Sequence, residues 1–275
     1  TDVTFAEGSQ LTSISKHAFV ETAITDIQLP ETLETINTSA FSRTKLTSIH
    51  IPASVKELGD SVFSSCSQLS QVTFAKDSTL ESIGVSTFYD MNALTAIELP
   101  ASLKTIAKTA FKNSSNLASI TFATTTVDGK EVCNLQSIGD TAFQATGLTR
   151  FDFPVSTATS IELGKQLFSG CKKLTTVYLS KSVGNIDDVL TKCASLKTVL
   201  IAEDNENFLA DPNLPLINNK EGTTVQFTYG AIDGDTFIVP EGVKEIGTNA
   251  FEGQAFKKIV LPKSLLTISN NAFLK

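Results

Sequence analysis

A single pattern recurs along almost the whole chain, and it restricts the fold more than any other feature of the sequence. The series Leu46, Ile49, Ile51, Pro52, Val55, Leu58, Val62, Phe63 returns as Leu94, Ile97, Leu99, Pro100, Leu103, Ile106, Ala110, Phe111. The shared template is LxxIxLPxxLxxIGxxAF. It starts again at Ile24, Leu46, Leu69, Leu94, Leu117, Leu148, Leu174, Leu196, Gly234 and Phe256, after a partial unit marked by Val3, Phe5, Leu11 and Ile14. Successive starts lie 22, 23, 25, 23, 31, 26, 22, 38 and 22 residues apart. Units this short cannot fold alone, because none has enough apolar surface to enclose a core; stacked on one another they can.

Each part of the template has a physical reading. LxxIxL alternates apolar and polar residues, which predicts a short strand with one face buried. Prolines 30, 52, 100, 154, 240 and 262 follow that strand, where a missing N–H costs no ladder bond. LxxI predicts a second short extended piece on the opposite wall. The xxAF step predicts a single helical turn that drops a phenylalanine into the core. Phe19, Phe41, Phe63, Phe88, Phe111, Phe143, Phe168, Phe251 and Phe273 share that slot, which accounts for 18 phenylalanines beside one methionine and no tryptophan. The expected fold is α/β and strand-rich: a right-handed leucine-rich-repeat solenoid of about eleven rungs with one parallel sheet on the concave wall. Residues 1–275 read as a single domain. At ~4.8 Å per rung the rod would be on the order of 50 Å long.

Three motifs carry a resemblance to a known family. They are the proline after the strand, the IGxxAF step, and a cysteine three residues before the next leucine, as in Cys66/Leu69, Cys171/Leu174 and Cys193/Leu196. With these the chain resembles the BspA-like bacterial leucine-rich repeats over residues 3 to 273. Members are mostly surface or secreted proteins of host-associated bacteria and of some mucosal protozoa, and several act as adhesins. The resemblance therefore implies a binding role outside the cell, although fold alone does not fix function.

Two insertions interrupt the period. Residues 123–134 carry Asp128-Gly129 between β-prone runs, a two-residue hairpin signal. Residues 202–233 begin acidic and asparagine-rich, then predict a second hairpin around Lys220-Glu221-Gly222. The rungs from Leu148 and Leu174 are degenerate, with Leu167-Phe168 and Val189-Leu190 at the AF step, so curvature is expected to change there.

The sequence is poor in catalytic chemistry. Its two histidines, His17 and His50, have no Cys or Asp/Glu cluster beside them, and a zinc site is not expected. Phosphate-loop, nucleophile-elbow and HExxH motifs do not occur. The expectation is no enzyme, no cofactor and no metal; the acidic stretch from Glu203 to Asp211 reads as a solvated loop, since it has oxygen ligands but no glycine pivot for calcium. Three of the four cysteines share one repeat slot and read as small core residues. A bridge between Cys171 and Cys193 stays open, and Cys133 is expected to be the exposed thiol. Net charge is −7 with mixed signs, against nucleic acid or an anionic membrane as partner. No apolar run approaches the ~20 residues that span a bilayer. The chain begins at Thr1 without methionine, which reads as a processed or trimmed start.

A partner would meet the outward side chains of the LxxIxL strands, the third and fifth positions. In chain order these are Asp26 and Gln28, Ser48 and His50, Gln71 and Thr73, Ala96 and Glu98, Ser119 and Thr121. They continue as Arg150 and Asp152, Thr176 and Tyr178, Thr198 and Leu200, Lys258 and Val260. The early rungs are small and polar; the later ones gain the residue types that anchor protein interfaces. His50, Glu98, Arg150, Asp152, Tyr178 and Leu200 are the candidate binding residues, with the 202–233 insertion expected as a rim. The leading expectation is a monomeric, extracellular or cell-surface module that binds a host or neighbouring-cell protein in the manner of an adhesin. A glycan ligand, or a spacer without a ligand, are the alternatives.

Overall fold

The computed structural model describes residues 2–211, 213–230, 232 and 236–274; Gly234, read above as a rung start, lies outside them. The chain is a strand-rich β-solenoid of about 11 turns. Every regular rung has three walls, and the template explains each. On the first wall the LxxIxL segments form parallel strands such as Ser48–Ile51 beside Gln71–Phe74 and Ala96–Leu99 beside Ser119–Phe122. Their I and L positions point inward: Ile49, Ile51, Ile97 and Leu99 are buried while His50 and Glu98 are exposed. On the second wall, seven two-residue strands from Ser13–Ile14 to Glu162–Leu163 form one parallel sheet.

The third wall departs from expectation. There is no helix among the described residues, so the α/β label and the helical turn at AF are corrected to an all-β rung closed by turns. Around Phe41 the N–H groups of Ala40, Ser42 and Thr44 bond back to Asn37, Ser39 and Phe41, at 3.1–3.3 Å. The intervening N–H groups of Ser39, Phe41 and Arg43 bond across to Asp60, Val62 and Ser64 of the next rung, at 2.8–3.0 Å. A helical turn would direct its N–H groups along its own axis. Alternation instead leaves every second donor free to stitch rungs together, and it requires a left-handed residue every fourth position, here Ser39 and Arg43 with φ of 55° and 57°.

The phenylalanines stand inside this wall as expected. Rings from Phe19 through Phe41, Phe63, Phe88, Phe111, Phe143 to Phe168 stack at 5.1–5.7 Å. Those from Phe41 to Phe168 are fully buried; Phe19, on the first rung, is only partly covered. Leu190 ends the column, and it resumes with Phe251 over Phe273 at 5.2 Å.

The expected single sheet on the first wall is also corrected: the wall is a series of short ladders. Two openings follow rungs whose strand ends on phenylalanine with no proline after it, Phe74 and Phe122. The larger side chain and the longer bend, which at Phe122 runs into the 123–134 insertion, carry the strand out of register with the next. That insertion is the hairpin its Asp-Gly predicts. Thr125–Val127 pairs antiparallel with Lys130–Val132, and Asp128 and Gly129 both take positive φ, 50° and 73°, as a type I′ turn needs.

The second insertion is more than a hairpin. Phe208–Ala210, Leu216–Asn219 and Thr224–Thr228 form an antiparallel meander whose last strand runs parallel to Glu245–Ile246, so the insertion is built into the second wall. Its start is not a loose acidic loop either. Asn205 is fully buried in the slot that Leu33, Val55 and Val183 fill in other rungs. Its Nδ2 donates to the carbonyls of Ser180 and Val183, and its Oδ1 accepts from the N–H groups of Asn207 and Phe208. At this level the apolar core divides, one cluster running from Ile14 to Ile217 and a second from Leu216 to Ala272.

Candidate binding surface

The outward face of the first wall gathers some of the sequence candidates and separates others. Arg150–Asp152, Thr176–Leu179 and Thr198–Ile201 form one three-stranded parallel ladder. Its register places Asp152, Tyr178 and Leu200 in one row and Arg150, Thr176 and Thr198 in the next. Beneath them Phe151, Val177 and Val199 are buried, which fixes the strands from inside.

Arg150 turns onto its own strand, its Nε donating to both carboxylate oxygens of Asp152 at 2.8 and 3.0 Å. The pair is half exposed, so it contributes little to stability; its effect is to hold the guanidinium flat against the wall. Leu200 is 41% exposed and Tyr178 is half-buried. The strands of the 202–233 insertion pair into the second wall, and the first of them, Phe208–Ala210, also lies against Thr198–Ile201. A groove of about 500 Å3 opens between Ser119–Phe122 and Arg150–Asp152, and Thr121, Arg150, Asp152 and Tyr178 line it.

His50 and Glu98 stand apart from this cluster, on separate ladders. His50 Nδ1 meets Thr73 Oγ1 at 2.9 Å across its ladder. Glu98 belongs to a larger groove of about 1090 Å3, lined also by Gln71, Thr73, Thr121, Thr124 and Asn134. Sequence reasoning missed Ile238, which is 62% exposed and pairs in register with Val260 on the last ladder of the wall. The degenerate start at Gly234 hid it; registering that rung from Phe237 and Val239 would have found it.

The cysteines lie in the interior. All four are free and buried, so Cys133 is corrected from exposed to buried, and Cys171 and Cys193 are not bridged. Cys66 Sγ donates to the Phe41 carbonyl and Cys171 Sγ to that of Phe143, both at 3.0 Å; Ser114 Oγ does the same for Phe88 at 2.9 Å. The repeat slot is a short donor that caps the phenylalanine carbonyl of the rung before. Burial pushes the thiols of Cys66, Cys133, Cys171 and Cys193 up from their ordinary value.

The family model for the BspA type leucine rich repeat region matches residues 2–118, 81–211 and 226–275, in six copies. The chain belongs to the BspA-type leucine-rich repeat family. Solved leucine-rich repeat structures share its fold. A leucine-rich repeat protein of Eubacterium ventriosum is 24% identical with a TM-score of 0.62, covering 75% of this chain and 51% of its own. One from Bacteroides ovatus is 20% identical with a TM-score of 0.60, covering 98% and 74%. The pneumococcal vaccine antigen PcpA is 23% identical with a TM-score of 0.53, covering 99% and 60%. The chain thus spans little more than half the length of two of these. No curated protein matches it by sequence. No helix among the described residues is long and apolar enough to cross a membrane.

Proposed function

We propose that this BspA-type repeat protein is a non-catalytic binding module, displayed outside the cell in the manner of an adhesin, whose partner is a host or neighbouring-cell protein. The observation that carries the reading is the row Asp152–Tyr178–Leu200 on one rigid ladder, with Arg150 clamped beside it. Small hydroxyl rungs gain little on desolvation, whereas a tyrosine and an exposed leucine beside a charged pair supply an anchor with orientation. Strands fixed by a buried face lose little freedom on binding, so less of the contact energy goes into ordering. The description of PcpA as a vaccine antigen fits a surface setting.

The test is adhesion of protein-coated beads to cultured mucosal epithelial cells, comparing the parent with Tyr178→Ala/Leu200→Ser. The double variant should keep the parent's circular dichroism and bind at least roughly tenfold more weakly. Equal adhesion by a folded variant would remove this face and favour the spacer reading. The groove at Glu98, which also presents Gln71, Thr73, Thr121, Thr124 and Asn134 as hydrogen-bonding side chains, supports a glycan reading, which predicts that Glu98→Ala abolishes binding to a glycan array while the Tyr178/Leu200 variant retains it.

A further inference from the structure

In the regular rungs the second and third walls are bonded to the neighbouring rung, and the first wall is paired within short ladders. Between the rung of Thr198–Ile201 and that of Thr236–Ile238, only one wall carries strand pairing through. On the first wall these two strands are not paired and do not touch, although every other pair of consecutive first-wall strands does. On the third wall the phenylalanine column is broken between Phe168 and Phe251, and a cavity of about 660 Å3 lies there among Thr191, Lys192, Tyr229, Gly230 and Gln254. Across that wall Thr228 bridges to the later rung, its N–H and Oγ1 both donating to the Ala250 carbonyl at 2.9 and 2.7 Å, beside Gln254 Nε2 to the Gly230 carbonyl at 3.2 Å and Asn249 Nδ2 to Asp188 Oδ1 at 3.5 Å. The continuous route between the two rungs is the meander Phe208–Ala210, Leu216–Asn219 and Thr224–Thr228, whose last strand pairs with Glu245–Ile246 on the second wall and bonds through Thr228 to Ala250 on the third.

The interior divides at the same place. Leu216 packs in the later core cluster and Ile217, next to it, in the earlier one. The following residue, Asn218, is 94% buried and follows a register shift in its ladder. Its Oδ1 is the one buried side-chain polar atom without a hydrogen-bond partner among the described residues. Exposure of the seam to water would satisfy that oxygen, so opening here recovers part of what it costs.

We propose that the rungs from Thr236 to Leu274 form a unit that opens independently of the rungs before it, hinged on the second-wall meander. The later unit has its own small core around Phe237, Val243, Ile246, Ala250 and Phe251. Opening swings Ile238 and Val260 relative to Leu200, which changes the spacing of the outward first-wall row. That last consequence rests on the binding reading above; the hinge itself does not.

Native-state hydrogen exchange on the whole chain, read by mass spectrometry at increasing sub-denaturing guanidinium, tests it. Amides of Thr236–Ile238, Glu245–Ile246 and Lys258–Val260 should exchange together, at least about tenfold faster than those of Thr105–Ile106 and Ser137–Ile138. Ile246→Ala should accelerate exchange in the later unit alone, and Ile106→Ala in the earlier rungs alone. If both groups exchange at one rate and either substitution accelerates both equally, the chain opens as one body and the hinge is wrong. Loss of cell binding by the Tyr178/Leu200 variant is unaffected by either outcome, so the two ideas fail separately.

Discussion

At the scale of residues, the repeat fixes backbone conformations that its side chains do not favour. The position before AF is left-handed in rung after rung, and it is filled by Ser39, Ser61, Ser86, Thr109, Thr141 and Asn249, not by glycine. A β-branched residue is strained there. Thr141→Gly should therefore raise stability by about 0.5–1 kcal/mol, measured as an increase in the urea midpoint; a decrease would mean that its methyl packing outweighs the strain. The buried thiols give a pH prediction. Their folded values lie above the unfolded value of roughly 8.5, so the native state retains protons that the unfolded chain releases. Stability from this source is complete below about pH 8.5 and falls as pH rises beyond it. Cys66→Ser with Cys171→Ser keeps the carbonyl caps and removes two of the ionising groups, and should flatten the decline between pH 8 and pH 10. An unchanged slope would assign the loss to other groups.

At the scale of elements, close stacking of the second wall explains the glycine of the template. A Cβ on Gly139 would lie 2.4 Å from the backbone nitrogen of Lys108, and one on Gly84 would lie 2.5 Å from the carbonyl carbon of Gly59. Asn37 and Ala107 fill the same slot in other paired rungs, but at these two a side chain would meet the neighbour's backbone, so Gly139→Ala should cost about 1–3 kcal/mol, read from the denaturation midpoint; no loss would show that the wall has slack. The acidic segment after Ile201 is held by the side chain of Asn205 through four hydrogen bonds. Calcium and chelator should both leave the melting temperature unchanged, and a rise of several degrees with calcium would contradict this. The strands, the first hairpin and the phenylalanine slot were legible because each depends on local periodicity or on one turn dipeptide. The closing turns were not: a step such as Ser39-Ala40-Phe41 suits one helical turn as well as alternating bends, and the choice is made by carbonyl acceptors on the next rung. In residues 208–228 the sequence shows the antiparallel pair around Lys220-Glu221-Gly222, but not the added strand Phe208–Ala210 or the junction with Glu245–Ile246, since antiparallel return within a parallel wall leaves no mark on the repeat.

At the scale of the molecule, the solenoid sorts residues into those that face the interior and those that face outward, and every functional statement depends on that sorting. The sequence placed Arg150, Asp152, Tyr178 and Leu200 together because register follows the repeat, and it overlooked Ile238 because that rung has lost its first leucine. The direct test is a pair of unfolding curves. Phe111 is fully buried in the stacked column, while Leu200 is exposed on the first wall. Phe111→Ala should cost roughly 3–5 kcal/mol, as other large core truncations do, and Leu200→Ser should stay within about 0.5 kcal/mol of the parent. Equal losses, or a larger loss at Leu200, would show that inside and outside are reversed.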